Sequence, residues 1–173
     1  MRALLVGRFQ PPHRGHLHAI RQAARGHETV LVGVGSAQHS HTLDNPLTVG
    51  ERVELLTAAL AEARLTNVHL YPLPDLHHHD RWVEHVRTLL PAFDVVLTNN
   101  PLTRRLFREA GFRVRRVALW RPDVCKGTEI RRRWAAGEDA TGLLTAAVRR
   151  GVERIEAPQR VRLLREAPRV GRA

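Results

Sequence analysis

Five short apolar runs alternate along this chain with segments of helical period, and that alternation restricts the fold more than any other feature. The runs are Arg2–Gly7 (RALLVG), Thr29–Gly35 (TVLVGVG), Asn67–Leu73 (NVHLYPL), Asp94–Thr98 (DVVLT) and Arg113–Leu119 (RVRRVAL). Their shortness, their valine and leucine content and the breakers around them mark strands. Between them lie predicted helices. Gly15–Arg25 carries Leu17, Ile20 and Ala24 at helical spacing. Thr48 and Glu51 have the spacing of a capping box and open a helix with Val53, Leu56 and Leu60 as its buried face. Asp80–Leu90 puts Trp82, Val86 and Leu89 on one side. Asn100 and Pro101 start the next helix and Gly111 stops it. Thr128–Gly137 and Ala140–Gly151 complete the set.

Strands that alternate with helices build βαβ units. The expected fold is therefore α/β, a doubly wound and mostly parallel sheet of about five strands with helices on both faces. In such a fold ligands bind beyond the carboxyl ends of the strands, at a switch point. The segments that fall there are Gly7–His16, Gly35–Pro46, Asp75–Asp80, Asn99–Asn100 and Arg121–Thr128.

At 173 residues the chain is expected to be one domain, residues 1–173, with the arginine-rich 158–173 a loose or helical tail. The formal net charge is +11, and Lys126 is the only lysine among 28 basic residues. Such a charge attracts polyanions; the main reading of the arginines is coding bias or a hot habitat. Aromatic residues make up only 5% and no nucleic-acid motif occurs, so no nucleic-acid partner is expected. Cys125 is the only cysteine, which excludes an internal disulfide and fits a reducing cytoplasm. No 18-residue apolar run and no signal peptide is found, so neither a membrane nor export is expected.

The segment GRFQPPHRGH, Gly7 to His16, carries the chemistry. It lacks the Gly-Lys-Ser/Thr of a phosphate loop, and GVGSAQ after the second run lacks the third glycine of a dinucleotide fingerprint. Two histidines three apart can share a metal, yet spacing supplies no third ligand. A capped loop with solvated histidines is the plain alternative. The Pro11-Pro12 turn, however, sets His13 just before a helix and His16 in its first turn, where free N–H groups favour anions. Arg8 can grip a phosphate with two hydrogen bonds, and Gly7 and Gly15 allow close approach.

GRFQPPHRGH resembles the His-x-Gly-His signature of the nucleotidyltransferase superfamily, in the wording of the archaeal-type nicotinamide-nucleotide adenylyltransferases. GSAQHSHTLDNPLTVGER, PDLHHHDRWVEHV, PAFDVVLTNNPLTRRLF and KGTEIRRR match in order, so the resemblance covers about Met1 to Ala136. It implies a Rossmann-like sheet and the reaction of ATP with nicotinamide mononucleotide (NMN) to give NAD and pyrophosphate. It implies His13, His16, Arg8 and Arg131 as catalytic residues. ATP would be held by Gly7, Arg8, Phe9, Gln10, His13, Gly15, His16, Asn100, Lys126, Gly127, Thr128 and Arg131. NMN would be held by Arg8, Ser36, Asp75, Leu76 and Trp82. Without the resemblance, Trp82 reads equally as core, Asp75 as a turn residue and Asn99–Asn100 as a helix cap; Arg132 and Arg133 read as a solvated face or a subunit contact. The family also implies magnesium, held mainly through substrate phosphates with no protein ligand, and a cytoplasmic homo-oligomer, commonly a hexamer.

Two positions depart from the family. Lys126 replaces the usual serine before Gly-Thr, where it either contacts the β- or γ-phosphate or crowds the loop. Asp44 stands before Asn45-Pro46, where relatives often carry a basic residue; it either points away or shifts the phosphate grip to Arg8 and others. His77–His79 reads as a solvated loop or an adventitious nickel or zinc site. Two other functions stand beside the main one: transfer of an adenylyl or cytidylyl group to another phosphorylated acceptor such as phosphopantetheine or FMN, and an arginine-rich nucleic-acid binder.

Overall fold

The computed structural model describes residues 1–76 and 78–167. The apolar runs form one sheet: β1 (Arg2–Gly7), β2 (Thr29–Val34), β3 (Val68–Pro72), β4 (Val95–Leu97) and β5 (Arg113–Arg115). Every neighbouring pair is parallel and the order is β3-β2-β1-β4-β5. The chain winds outward from β1 through β2 to β3, then returns to the other side of β1 for β4 and β5. The winding reverses between β1 and β4, and that crevice is the switch point.

Between and after the strands lie α1 (Arg14–Gly26), α2 (Val49–Glu62), α3 (Trp82–Leu89), α4 (Pro101–Glu109), α5 (Gly127–Ala136), α6 (Ala146–Arg154) and α7 (Ala157–Glu166). Side chains alternate across the sheet and so build two cores. Ala3, Leu5, Val30, Val32, Val95 and Leu97 pack with residues of α1, α2, α5, α6 and α7. Leu4, Leu31 and Val96 pack with Val83 and Val86 of α3 and Phe107 of α4. Helices therefore cover both faces.

Local chemistry fixes the helix ends. The Thr48 hydroxyl accepts from the Glu51 N–H while the Glu51 carboxylate accepts from the Thr48 N–H, a complete capping box. Asn100 caps α4 through the Thr103 N–H, with Pro101 in the first turn. Gly137, at φ 72°, ends α5 in the left-handed conformation that glycine adopts without strain.

Five expectations are corrected. The buried side of α3 is Val83 and Val86; Leu89 is exposed and Trp82 half-buried, and Leu90, the C-cap, leaves the helical path at φ -116° to enter the core. The buried side of α2 is Arg52, Leu55, Leu56, Ala59 and Leu60, with Val53 only half-buried. On α1, Ala23 rather than Ala24 is buried. Residues 140–151 are not one helix: a 3-10 turn (Thr141–Leu143) buries Leu143, and Thr145 caps a separate α6. β5 is also shorter than its run. His77 of the triple-histidine loop lies outside the described residues, as does the end of the tail; α7 occupies the tail through Glu166. Among the described residues no helix is long and apolar enough to cross a membrane.

Candidate active site

The segment after β1 is built to present two imidazoles. The Gly7 carbonyl accepts from the Gly35 N–H at 2.9 Å, which ties the ends of β1 and β2. Phe9 takes φ 53°, rare for a bulky residue, and its ring lies under Gly7 so closely that an added Cβ there would sit 3.0 Å from it. The Gln10 amide clamps the backbone of Leu47: Nε2 donates to the carbonyl at 2.8 Å and Oε1 accepts from the N–H at 2.9 Å. The Gln10–Pro11 peptide is cis, and Pro11, Pro12 and His13 are buried.

His13 is the N-cap of α1, and its Nδ1 accepts from the His16 N–H at 3.4 Å. The His13 and His16 rings stack, with centroids 3.6 Å apart, and Phe9 closes on His16 at 4.6 Å. Burial lowers the pKa of His13 to about 4. His16 is pushed well below its ordinary value by burial and by the neighbouring His13. Both rings are therefore neutral at pH 7. A neutral imidazole still donates one N–H, and it does so without a charge that needs solvation.

The start of α5, on the same face of the sheet as α1, meets this segment directly. The Arg131 guanidinium is buried and its Nη1 donates to the Gln10 carbonyl at 2.7 Å. Gly127 lies against the same carbonyl; an added Cβ would sit 3.0 Å from that oxygen. Asp44 resolves one of the two readings of its departure. It does not point away: its Oδ1 lies 3.7 Å from Arg131 Nη2. Burial, then the like charge of Arg8, lowers the Arg131 pKa, and Asp44 opposes that shift. Lys126 is the N-cap of α5, is exposed, and makes no capping bond.

These parts enclose a cavity of about 480 Å³ at the β1–β4 crevice. Arg8, Phe9, Gln10, His13, Gly15, His16, Asn100, Lys126, Gly127, Thr128 and Arg131 line it, with Thr98, Asn99, Val117, Leu119, Trp120 and Cys125. Asn99 Nδ2 donates to the Val117 carbonyl at 2.8 Å and holds the segment after β5 against the cavity. A second cavity of about 440 Å³ opens beside the first, lined by Asp75, Leu76, His78, His79, Trp82 and Leu106 among others. Arg8 and Asn100 line both. Trp82 serves core and cavity together: its ring meets Phe107 edge-on at 5.5 Å and its other side faces the second cavity.

Two residues expected at the site lie elsewhere. Gly7 lines neither cavity because the Phe9 ring covers it. Ser36 is buried at φ 50°, also outside both linings, with its carbonyl taken by Arg52. Arg132 and Arg133 pair with Glu129 on the outer side of α5, and Arg132 pairs with Glu138 as well.

Sequence reasoning missed three supports of the site. Arg52 is fully buried and donates to the carbonyls of Thr48, Arg8, Gly35 and Ser36. Burial lowers its pKa to about 10, so it keeps its charge at neutral pH. It ties the segments after β1 and β2 to α2. Gln38 clamps the Asp75 backbone as Gln10 clamps Leu47, accepting from the N–H and donating to the carbonyl at 2.9 Å each. Cys125 packs on His13. An arginine at a buried position of a helical stripe was the one readable signal, and α2 carries it at Arg52.

Among the described residues no group of three or more His, Cys, Asp or Glu side chains is placed to hold a metal ion.

The family model of cytidylyltransferase-like proteins matches residues 4–133. The nicotinamide-nucleotide adenylyltransferase of Pyrococcus furiosus is 42% identical over 166 residues, covering 94% of this chain and 88% of that protein. That of Archaeoglobus fulgidus is 41% identical over 167 residues, covering 94% of this chain and 96% of its own. Among solved structures, a bifunctional NMN adenylyltransferase/ADP ribose pyrophosphatase from Francisella tularensis, complexed with AMP and a manganese ion, superposes with a TM-score of 0.77 at 20% identity. The match covers 96% of this chain and 56% of that one, and it is a likeness of fold.

Proposed function

The chain belongs to the nicotinamide-nucleotide adenylyltransferases, within the cytidylyltransferase-like family, and from that premise we infer how its own residues divide the work. It transfers the adenylyl group of ATP to NMN, giving NAD and pyrophosphate. An oxygen of the NMN phosphate attacks the α-phosphorus. The bond to the β-phosphate oxygen breaks, and its electron pair leaves on pyrophosphate. The second pKa of such a phosphate is about 6, so the nucleophile is already ionised and no general base is required. The work left to the protein is alignment and charge stabilisation.

ATP takes the larger cavity and NMN the smaller one. The observation that carries this assignment is that Arg8 and Asn100 line both, so Arg8 stands where the two phosphates meet. The N–H groups at the start of α5, the His13 and His16 rings and Arg131 receive the triphosphate; at the start of α1 the Gly15 and His16 N–H groups are already taken by Cys125 Sγ and His13 Nδ1, so that helix contributes its imidazoles. Lys126 adds a point charge at the β- or γ-phosphate. Asp75 and the backbone beside Leu76 take hydrogen bonds of the carboxamide, and Trp82 stacks on the nicotinamide ring.

Magnesium enters as part of the ATP complex. The larger cavity offers arginine, lysine and neutral imidazole nitrogen, with no carboxylate among its lining residues. That donor set suits an ion held by phosphates and water. The lone thiol suits a reducing cytoplasm, and by family a homo-oligomer, commonly a hexamer, is inferred; light scattering of the purified protein tests the latter.

The test is purified protein with ATP, magnesium and NMN, scored for NAD and pyrophosphate, beside phosphopantetheine and FMN as acceptors. NAD formation with little turnover of the others is expected. Turnover confined to another acceptor refutes the assignment of the smaller cavity. His16→Ala should lower kcat far more than it raises KM, because its hydrogen bond strengthens as charge develops; equal loss in both refutes that role.

A further inference from the structure

Cys125 is the chain's only thiol, and the reaction inferred above gives it no part. It is buried one residue before the N-cap of α5 and lies against the start of α1. Its Sγ is 3.5 Å from His13 Nδ1 and accepts the Gly15 N–H at 3.3 Å. The Leu143 carbonyl, the other acceptor near it, is farther away at 3.9 Å. Gly15 makes this packing possible, since an added Cβ there would sit 3.1 Å from the His13 ring.

The protons can be placed by elimination. His13 Nδ1 accepts from the backbone N–H of His16, so Nδ1 carries a lone pair and no hydrogen. Burial keeps the ring neutral, so its single proton is on Nε2. The single Nδ1 lone pair, long to the His16 N–H at 3.4 Å, is shared with the thiol hydrogen at 3.5 Å in a three-centre hydrogen bond, while the sulfur lone pair takes the Gly15 N–H. Burial raises the thiol pKa, so this hydrogen stays in place at neutral pH.

We propose that Cys125 is a positioning residue for His13: its S–H, together with the His16 N–H, holds His13 in the Nε2–H tautomer and leaves that proton for a phosphate oxygen. The proposal rests on the reading of His13 as a phosphate donor. It also links the two phosphate-binding helix starts, because the residue that sets the tautomer on α1 belongs to the segment that opens α5.

The test reads the tautomer and the turnover separately. Protein labelled with 15N-histidine reports by two-bond 15N–1H correlation which ring nitrogen of His13 carries the proton. Wild type should show Nε2–H. Cys125→Ala, left with only the long His16 N–H contact at Nδ1, should show an added Nδ1–H population beside Nε2–H, with kcat down about fivefold, the worth of one net hydrogen bond, and KM values within about twofold. Cys125→Ser, whose hydroxyl can donate in place of the thiol, should restore the wild-type spectrum and most of kcat. A wild-type Nδ1–H signal overturns the proposal. So does Cys125→Ala with an unchanged tautomer or an unchanged kcat, and so does a serine variant that behaves like alanine. A wild type that makes no NAD refutes the reaction instead, and the tautomer spectra distinguish that failure from a failure of Cys125.

Discussion

Arg52→Met should both destabilise the protein and damage its chemistry, and the size of each effect follows from the hydrogen bonds of the guanidinium. Methionine fills much of the volume, so the loss is of donors and charge rather than of packing. Four carbonyls accept from Arg52. Two of them keep a second donor: Thr48 has the backbone N–H of Arg52, and Ser36 has that of His39. The carbonyls of Arg8 and Gly35 lose the donors that Nη1 supplies, at 2.8 and 2.7 Å. A buried polar group left unpaired costs about 1–3 kcal/mol; the buried Gly35 carbonyl bears that cost and the part-buried Arg8 carbonyl a smaller one, about 3 kcal/mol together. For a chain of this length each kcal/mol moves Tm by about 2–4 °C, which predicts a loss of about 6–12 °C. The Arg8 carbonyl is one of the two, so the residue shared by both cavities shifts as well. A displacement of that kind lowers kcat/KM about 10- to 100-fold. Arg52→Lys keeps the charge but cannot span four carbonyls from one nitrogen, and should recover only part of each loss. Thermal melts and steady-state kinetics on the three proteins decide the matter. A Met variant that melts within about 3 °C of wild type refutes the accounting; one that is destabilised yet fully active refutes the link from Arg52 to Arg8.

Acid should destabilise the protein through His13. Between pH 6.5 and about 4 the unfolded chain binds a proton on His13 and the folded chain does not, so stability falls as pH falls through that window. The shift corresponds to about 3 kcal/mol, and His16 adds in the same direction; chemical denaturation from pH 7 to 4 should show the slope, and His13→Gln should flatten it. Asp44→Asn removes the carboxylate that, on the proposed assignment, a substrate phosphate displaces from Arg131. The pair joins an exposed carboxylate to a buried guanidinium, and a pair open to solvent on one side is worth about 0.2–1 kcal/mol, so KM for ATP should fall about 1.5- to 5-fold with kcat little changed, and a higher KM would refute the competition. Gly151→Ala should destabilise despite better helix propensity, because the new Cβ runs into Leu55 Cδ2. Overpacking of about 1–3 kcal/mol outweighs a propensity gain of about 1 kcal/mol, so Tm should drop, whereas Gly142→Ala meets open space and should not.

The βα alternation was legible because each strand is a short apolar run and each helix start carries its own cap, as at Thr48 and Asn100. The helix faces were read less well where an end was misjudged. At α3 the helix ends at Leu89, and the extended backbone of Leu90 carries that side chain, rather than Leu89, into the core. β5 kept only Arg113–Arg115 of its run because it is an edge strand whose arginines face solvent, and Val117 and Leu119 turn away to line the larger cavity. Of the residues expected to bind substrate, those on the strand ends and helix starts converge on two adjoining cavities, since the sheet topology alone brings such ends together. Arg52 was legible only as a place on the stripe of Leu56 and Leu60, and Cys125 not at all. A charge on a helix reads as exposed until the carbonyls it satisfies are known, and a thiol gives no sign of its neighbour 112 residues away in sequence.

The charge of the site also explains why its histidines are buried. Arg8, Arg52, Arg131 and Lys126 already place fixed positive charge around the cavities, and like charge between arginines is felt: Arg8 acts to lower the pKa of both Arg52 and Arg131. A protonated His13 or His16 would add to that repulsion before substrate arrives, and His13 already opposes protonation of His16. Burial removes the imidazole charge but keeps the N–H. On the proposed assignment the arginines supply the field that draws two polyanions together, and the neutral rings supply direction, with little reorganisation when charge moves onto the leaving pyrophosphate. Raising either histidine pKa toward 7, for instance by opening the Phe9 cover with Phe9→Ala, should therefore weaken rather than strengthen catalysis at neutral pH. A Phe9→Ala variant with a raised histidine pKa by NMR and an equal or higher kcat would refute this account of the site.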